Sequence, residues 1–312
     1  MRVVRHPDGR APETAIAVGS FDGLHRGHRE LLARVVDEAH ARALTPAVLT
    51  FEPLPREYFA LDEAPPRLSS LGEKLAMLPS TGIEIAFVQR FNRAFAALEP
   101  DEFTQQLRKR HGVRWIMVGE DFRYGARRAG DVERLRRSGR ALGFEVAVLP
   151  PVADGAQRIS STRVRAALAA GLLDEAARLL GRRYAICGRV MHGTKRGREL
   201  GFPTANVRLG RPKAALAGIF AVKCFGAATR GLEGVASLGI NPAVQRGGPA
   251  TLEAFLFDFS GDLYGRRLTI EFVKKLRDEA PFASLDELAA QIERDCDDAR
   301  RHFRDAGTGE GP

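Results

Sequence analysis

The first half of the chain alternates short, continuous apolar runs with longer stretches in which apolar residues return every three or four positions. Runs at 15–19, 47–51, 83–89, 115–119 and 145–149 read as strands buried on both faces. Helical periodicity fills 28–44. Ser70 and Glu73 have capping-box spacing for a helix reaching about 80. Pro100 suits the first position of a helix closed by Gly112. Asp131 is placed to cap a helix that ends at Gly143. Strands separated by helix-length segments predict a parallel α/β sheet. After 159–162 come two short helices, to about 180. The texture then changes to short β-type runs separated by glycines, at 184–191, 219–225, 234–240, 251–259 and 267–272. These predict a small antiparallel barrel or sandwich. Ser284 and Glu287 form another capping box, opening a helix to about 303, and 305–312 reads as a frayed tail.

This change of texture puts the domain boundary near 182, giving domains at 1–182 and 183–312. A chain of 312 residues is long enough for both to have a core. The net charge of +9 is spread, with +5 in residues 1–182 and +4 in 183–312. A diffuse excess suits anionic small substrates. It lacks the basic stripe of a nucleic-acid binder, so no nucleic-acid partner is expected. No apolar run approaches the roughly 20 residues of a membrane span, and no apolar signal core follows the N-terminus. The three cysteines, Cys187, Cys224 and Cys296, form no CxxC pair. These features predict a cytoplasmic protein with no membrane partner, as a monomer or weak homo-oligomer.

The segment AIAVGSFDGLHRGHRELL, residues 15–32, carries the sharpest chemistry of the first half. Glycines between a strand and a helix let backbone N–H groups approach a phosphate, and the helix N-terminus adds partial positive charge. His25 and His28, three apart, can both face that anion, where imidazolium donors would stabilise charge on a transferring phosphate. After the fifth predicted strand, ISSTRVR at 159–165 puts hydroxyls at a helix start and an arginine one turn on, an anion clamp. TFEP at 50–53 and VGEDFRYG at 118–125 both follow predicted strands, at the ends where open α/β sheets bind ligands.

These segments resemble the HxGH and ISSTxxR signatures of the nucleotidyltransferase superfamily. Together with TFEP and VGEDFRYG they resemble the prokaryotic bifunctional riboflavin kinase/FAD synthetase family. The resemblance implies a Rossmann-like domain that joins ATP to FMN and releases pyrophosphate. It implies an ATP site of Gly19, Phe21, Asp22, Gly23, His25, His28, Ser160, Ser161, Thr162 and Arg165. It implies a flavin site of Phe51, Asp121, Phe122 and Arg123. Leu54 departs from the family's histidine after TFEP, and Tyr124 replaces a phenylalanine.

In the second half, HGTKRGRELGFPTAN at 192–206 combines glycines, basic residues and a Pro-Thr-x-Asn. The loop can wrap a polyphosphate. Thr204 and Asn206 alternate along an extended segment, so both can offer oxygens to Mg²⁺ from one face. LGFPTAN resembles the ATP and Mg²⁺ motif of riboflavin kinases. By that resemblance Gly193, Lys195, Gly201, Pro203, Thr204 and Asn206 bind ATP, with Thr204 and Asn206 as metal ligands. Glu253 is then the general base on the ribityl hydroxyl, catalytic alongside His25 and His28. Ala243 departs from a threonine usual in that family. The small molecules implied are ATP as co-substrate, Mg²⁺, and riboflavin, FMN and FAD as substrate and products.

Overall fold

The computed structural model describes residues 1–7, 11–193, 201–239 and 250–307. It divides into two compact units: 1–65 with 71–160, and 66–70 with 161–312.

The first unit is built on a six-stranded parallel sheet in the order β1-β4-β3-β2-β5-β6. Its strands are β1 (Arg2–Val4), β2 (Thr14–Val18), β3 (Thr45–Glu52), β4 (Ile85–Arg90), β5 (Val113–Gly119) and β6 (Glu145–Leu149). β2 is buried at every position, as a central strand covered on both faces must be. On one face Ala15 and Ala17 pack with Leu31, Leu32, Val35 and Ala39 of helix α1 (Arg26–Ala41). On the other, Ile16 and Val18 share a core with Phe103 and Leu107 of α5 (Pro100–Arg110) and Leu135 of α6 (Val132–Leu142). Three short helices, α2 (Pro55–Phe59), α3 (Leu71–Met77) and α4 (Arg93–Ala96), and a two-stranded hairpin of β7 (Ala153–Asp154) and β8 (Gln157–Arg158) complete the unit. The strand order reverses beside β2, so the crevice for a ligand lies at the C-terminal ends of β2 and β5.

The expected five strands are present, and β1 is an addition. It is a three-residue edge strand whose exposed side chains leave no apolar run to read. Helix α1 opens at Arg26, before the apolar periodicity begins, because the capping residue precedes it.

The second unit begins with α7 (Ser161–Ala169) and α8 (Leu173–Leu180). The buried Leu173, Ala176, Leu179 and Leu180 make α8 an apolar wedge, which packs against strand β14. A closed antiparallel barrel follows in the order β10-β13-β12-β11-β14-β9. Its strands are β9 (Ala185–Met191), β10 (Ala205–Val207), β11 (Gly218–Phe225), β12 (Leu232–Gly239), β13 (Thr251–Leu256) and β14 (Arg267–Arg277). One side of the barrel wall, with Ile219, Ala221 and Val235, packs against Cys296, Ala299 and Phe303 of α9 (Leu285–Gly307). The Ser284 hydroxyl accepts from the Glu287 N–H at 3.1 Å, and the Glu287 carboxylate accepts from Ala283 N–H at 3.0 Å. The helix therefore starts where its capping pair requires. It runs on to Gly307, so 305–307 is helical rather than frayed. Segment 66–70 joins this unit through buried Arg211, which donates to the carbonyls of Leu68 (2.8 Å) and Arg67 (3.4 Å) and to the Tyr184 hydroxyl (3.0 Å).

Candidate active sites

In the first unit the chain leaves β2 through a turn that no ordinary helix start would need. Phe21 and Leu24 take positive φ, +47° and +43°, and Gly23 takes +79°. Such values cost an L-residue energy, and here both side chains are fully sunk in the core. Phe21 therefore supports the turn from below, its ring edge-on to His28 at 5.3 Å.

The two histidines are not equivalent. His25 is the N-cap of α1, in an extended conformation, and its Nδ1 accepts the His28 backbone N–H at 3.2 Å. That use of Nδ1 leaves Nε2 as the donor of the neutral ring. His28 stacks on it at 3.7 Å with a 12° tilt. Burial, then His25, then Lys74 hold the His28 imidazole well below its ordinary value, so in the free protein it is neutral rather than the expected imidazolium. Its Nδ1 is buried with no hydrogen-bond partner. The glycine of HxGH has a packing reason: a Cβ at Gly27 would lie 3.3 Å from the His25 ring. Gly19 donates its N–H to the Leu49 carbonyl at 3.0 Å, tying the turn to β3. Asp22, within the turn, is buried.

The flavin candidates are linked by a continuous series of rings. Phe51 meets Phe95 at 5.8 Å, Phe95 meets Phe103 at 6.1 Å, Phe103 meets Tyr124 at 5.3 Å, and Tyr124 stacks on Phe122 at 5.5 Å. Phe91, Tyr58 and Phe59 extend it outward, and Phe59 is 68% exposed. Asp121 accepts from both terminal guanidinium nitrogens of Arg158 at 3.1 and 3.2 Å, which keeps its carboxyl below the usual range. Arg123 pairs with Asp131 at 3.3 Å. Leu54 is buried, and its backbone N–H is capped by the Glu57 carboxylate at 3.1 Å. The family's histidine is thus replaced by a core side chain. Ser160 closes the first unit, whereas Ser161, Thr162 and Arg165 open α7 in the second. There Arg165 donates to the Pro66 carbonyl at 2.6 Å.

In the barrel, Ala205 and Val207 are buried while Thr204 and Asn206 turn to the other side, as the alternation predicts. Asn206 pairs in register with Glu253 of β13, and the Thr204 hydroxyl donates to the Glu253 carboxylate at 3.1 Å. A Cβ at Gly193 would collide with the Asn206 amide, so a larger residue there would displace that side chain. Gly201 has φ +85° and, like Pro203, is exposed. The His192 ring lies 3.9 Å from that of Tyr264 beside this group. Lys195 and Ala243 fall outside the described residues.

Two family models match the chain: FAD synthetase over residues 8–163 and riboflavin kinase over 180–303. The bifunctional riboflavin kinase/FMN adenylyltransferase of Escherichia coli K12 is 44% identical over 97% of this chain and 98% of its own. The chain belongs to the bifunctional riboflavin kinase/FMN adenylyltransferase family. The Haemophilus influenzae member is 40% identical over 93% of this chain and 94% of its own. A crystal structure described as a macrolide-efflux protein from Streptococcus pneumoniae is 31% identical, with a TM-score of 0.78, over 95% of this chain and 97% of that one. No described helix here is long and apolar enough to cross a membrane.

Within this family fold, sequence reasoning missed three features of the first site. Arg158 lies one residue before the ISST motif. Phe91 precedes the short α4 and Phe95 lies within it, where an FxxxF spacing was the available signal. Lys74 is only 1% exposed, yet it reads as one more charged position on a surface helix.

Proposed function

We propose that the two units carry two consecutive steps of flavin cofactor synthesis, with the functional boundary near residue 182. Riboflavin is phosphorylated by ATP in the barrel, giving FMN. FMN is adenylylated by a second ATP in the Rossmann-like unit, giving FAD and pyrophosphate. The observation that supports this most is the convergence of Thr204, Asn206 and Glu253 in one half and of His25 and His28 in the other.

In the barrel the Glu253 carboxylate takes the proton of the ribityl 5′-hydroxyl as that hydroxyl's oxygen attacks the γ-phosphorus; the bond from the γ-phosphorus to the bridging oxygen breaks and ADP leaves, and the base's role is worth typically 10²–10⁴-fold. Thr204 holds that carboxylate in place. Thr204 and Asn206 present hard oxygen donors on one face, and Gly193 leaves room against Asn206; this donor set fits Mg²⁺, which binds through few protein ligands plus substrate phosphates. The metal would supply charge neutralisation on the polyphosphate. Gly193, Lys195, Gly201 and Pro203 are the further residues we assign to ATP binding.

In the first unit the FMN phosphate oxygen attacks the α-phosphorus of ATP, so no side chain need act as nucleophile. His25 donates through Nε2. His28 meets the anion as a neutral ring, and the arriving phosphates favour its protonation. Gly19, Asp22 and Gly23 shape the turn; Phe21 acts beneath His28. The hydroxyls of Ser160, Ser161 and Thr162 and the guanidinium of Arg165 are the polyphosphate clamp we assign to the adenylylation step. The aromatic series from Phe51 to Phe122, with Asp121 and Arg123 at its edge, offers an apolar face to the isoalloxazine ring. The enzyme works in the cytoplasm, as a monomer or weak homo-oligomer, on free flavins and ATP rather than nucleic acid.

Purified protein given riboflavin, ATP and Mg²⁺ yields FMN first and FAD after a lag, followed by flavin chromatography. Absence of both products contradicts the reading.

A further inference from the structure

Lys74 of α3 is among the largest fully buried side chains of the protein. Burying an ammonium costs several kcal/mol unless its protons are satisfied, and an apolar residue would fill the same volume without that cost. The ammonium donates to the Ser20 carbonyl at 2.5 Å and to the Thr50 hydroxyl at 3.0 Å. Thr50 in turn donates to the Ser20 carbonyl at 3.3 Å. These three groups form a knot where the neighbouring parallel strands β2 and β3 end.

Beyond the knot the two chains part. From Ser20 the backbone enters the strained turn of Phe21 and Leu24 and reaches His25 and His28. From Thr50 it enters Phe51 and the aromatic series. The knot is thus the last shared point of the nucleotide half and the flavin half of the site.

Resting on the site assignment above, we infer that Lys74 is a positioning residue for adenylyl transfer: its ammonium ties Ser20 to Thr50 and fixes the spacing between the two bound substrates. A misplacement of about 1 Å in such a site costs on the order of 100-fold in rate. Its charge also bears on His28. The groups that face that ring are His25 from the cap and the Phe21 edge from the turn, and Lys74 of α3 acts on it through its charge.

The test uses the full chain and reads both activities in one preparation. Lys74→Met lowers kcat for FMN adenylylation about 100-fold with a smaller change in KM. Riboflavin phosphorylation stays within about twofold. NMR titration of His28 moves up modestly, because Lys74 is the smallest of its three causes, and the split between kcat and KM distinguishes positioning from a merely structural loss. Thr50→Val keeps the ammonium and removes one strut. It lowers adenylylation about tenfold with no change in the His28 titration, and it serves if Lys74→Met does not fold. Both variants folded, with adenylylation within about twofold of wild type, overturns the proposal. So does Thr50→Val at wild-type rate when Lys74→Met is unfolded. His28→Ala separates the two readings. If His28→Ala is inactive and both knot variants are active, only the role of Lys74 falls. If His28→Ala is also active, the site assignment falls with it.

Discussion

His25 does two things at once, and single substitutions separate them. Its Nδ1 caps α1, a contact worth about 1 kcal/mol, and its Nε2 is the donor we assign to the phosphate. His25→Ala therefore loses both stability and adenylylation. His25→Asn restores a capping oxygen, so it recovers about 1 kcal/mol in denaturant unfolding while adenylylation stays lost. Trp115, the single tryptophan, lies buried in β5 and reports unfolding of this unit. Tyr124 makes the opposite case. Its hydroxyl is buried with no partner and its pKa is pushed up to about 12, chiefly by burial. Tyr124→Phe removes an unsatisfied polar group and keeps the stack on Phe122. It raises stability by about 1 kcal/mol, read from the same Trp115 transition. The spacing HxGH put the two histidines together, but it could not say that one is a cap and the other an uncharged ring. That division follows from backbone dihedrals and burial, which no motif encodes.

The same distinction holds for whole elements. The five-residue apolar runs were legible because a parallel strand is covered on both faces, as β2 is. β1 was not, since three residues at an edge carry no periodicity, and β10 was legible only as the extended alternation of Thr204 and Asn206, not as a strand of the barrel. Helix α3 was legible as a helix, but Lys74 was not legible as buried, because its neighbours Glu73 and Leu75 look like any amphipathic surface. The end of α5 carries a pH-dependent element. His111 is buried, meets the Gln106 carbonyl at 3.2 Å and the Phe87 ring at 4.8 Å, and its pKa falls from 6.5 to about 4, mainly by desolvation. Between these values the unfolded chain binds the proton and the folded chain does not. Stability is thus fully present above about 6.5 and is lost as pH falls towards 4, by about 3 kcal/mol at most. His28 adds a loss of the same sign. His111→Gln flattens this limb relative to wild type in Trp115-monitored denaturation at pH 7, 6, 5 and 4.

At the scale of the molecule, the chain changes from α/β alternation to a β-rich barrel, and that switch was visible in the spacing of apolar runs alone. The grouping of 161–180 with the barrel was not, because it depends on the apolar face of α8 meeting β14. Nor was the transfer of 66–70 into the second unit, which is held by a buried arginine far away in sequence. Each half has its own reactive group, so each can be disabled alone. The most direct measurement is the flavin product of two variants, resolved by chromatography with riboflavin or FMN supplied. His28→Ala accumulates FMN and makes no FAD. Asn206→Ala makes no FMN from riboflavin but converts supplied FMN to FAD at the wild-type rate. The reverse pattern, or loss of both activities in each folded variant, contradicts the assignment of one step to each unit.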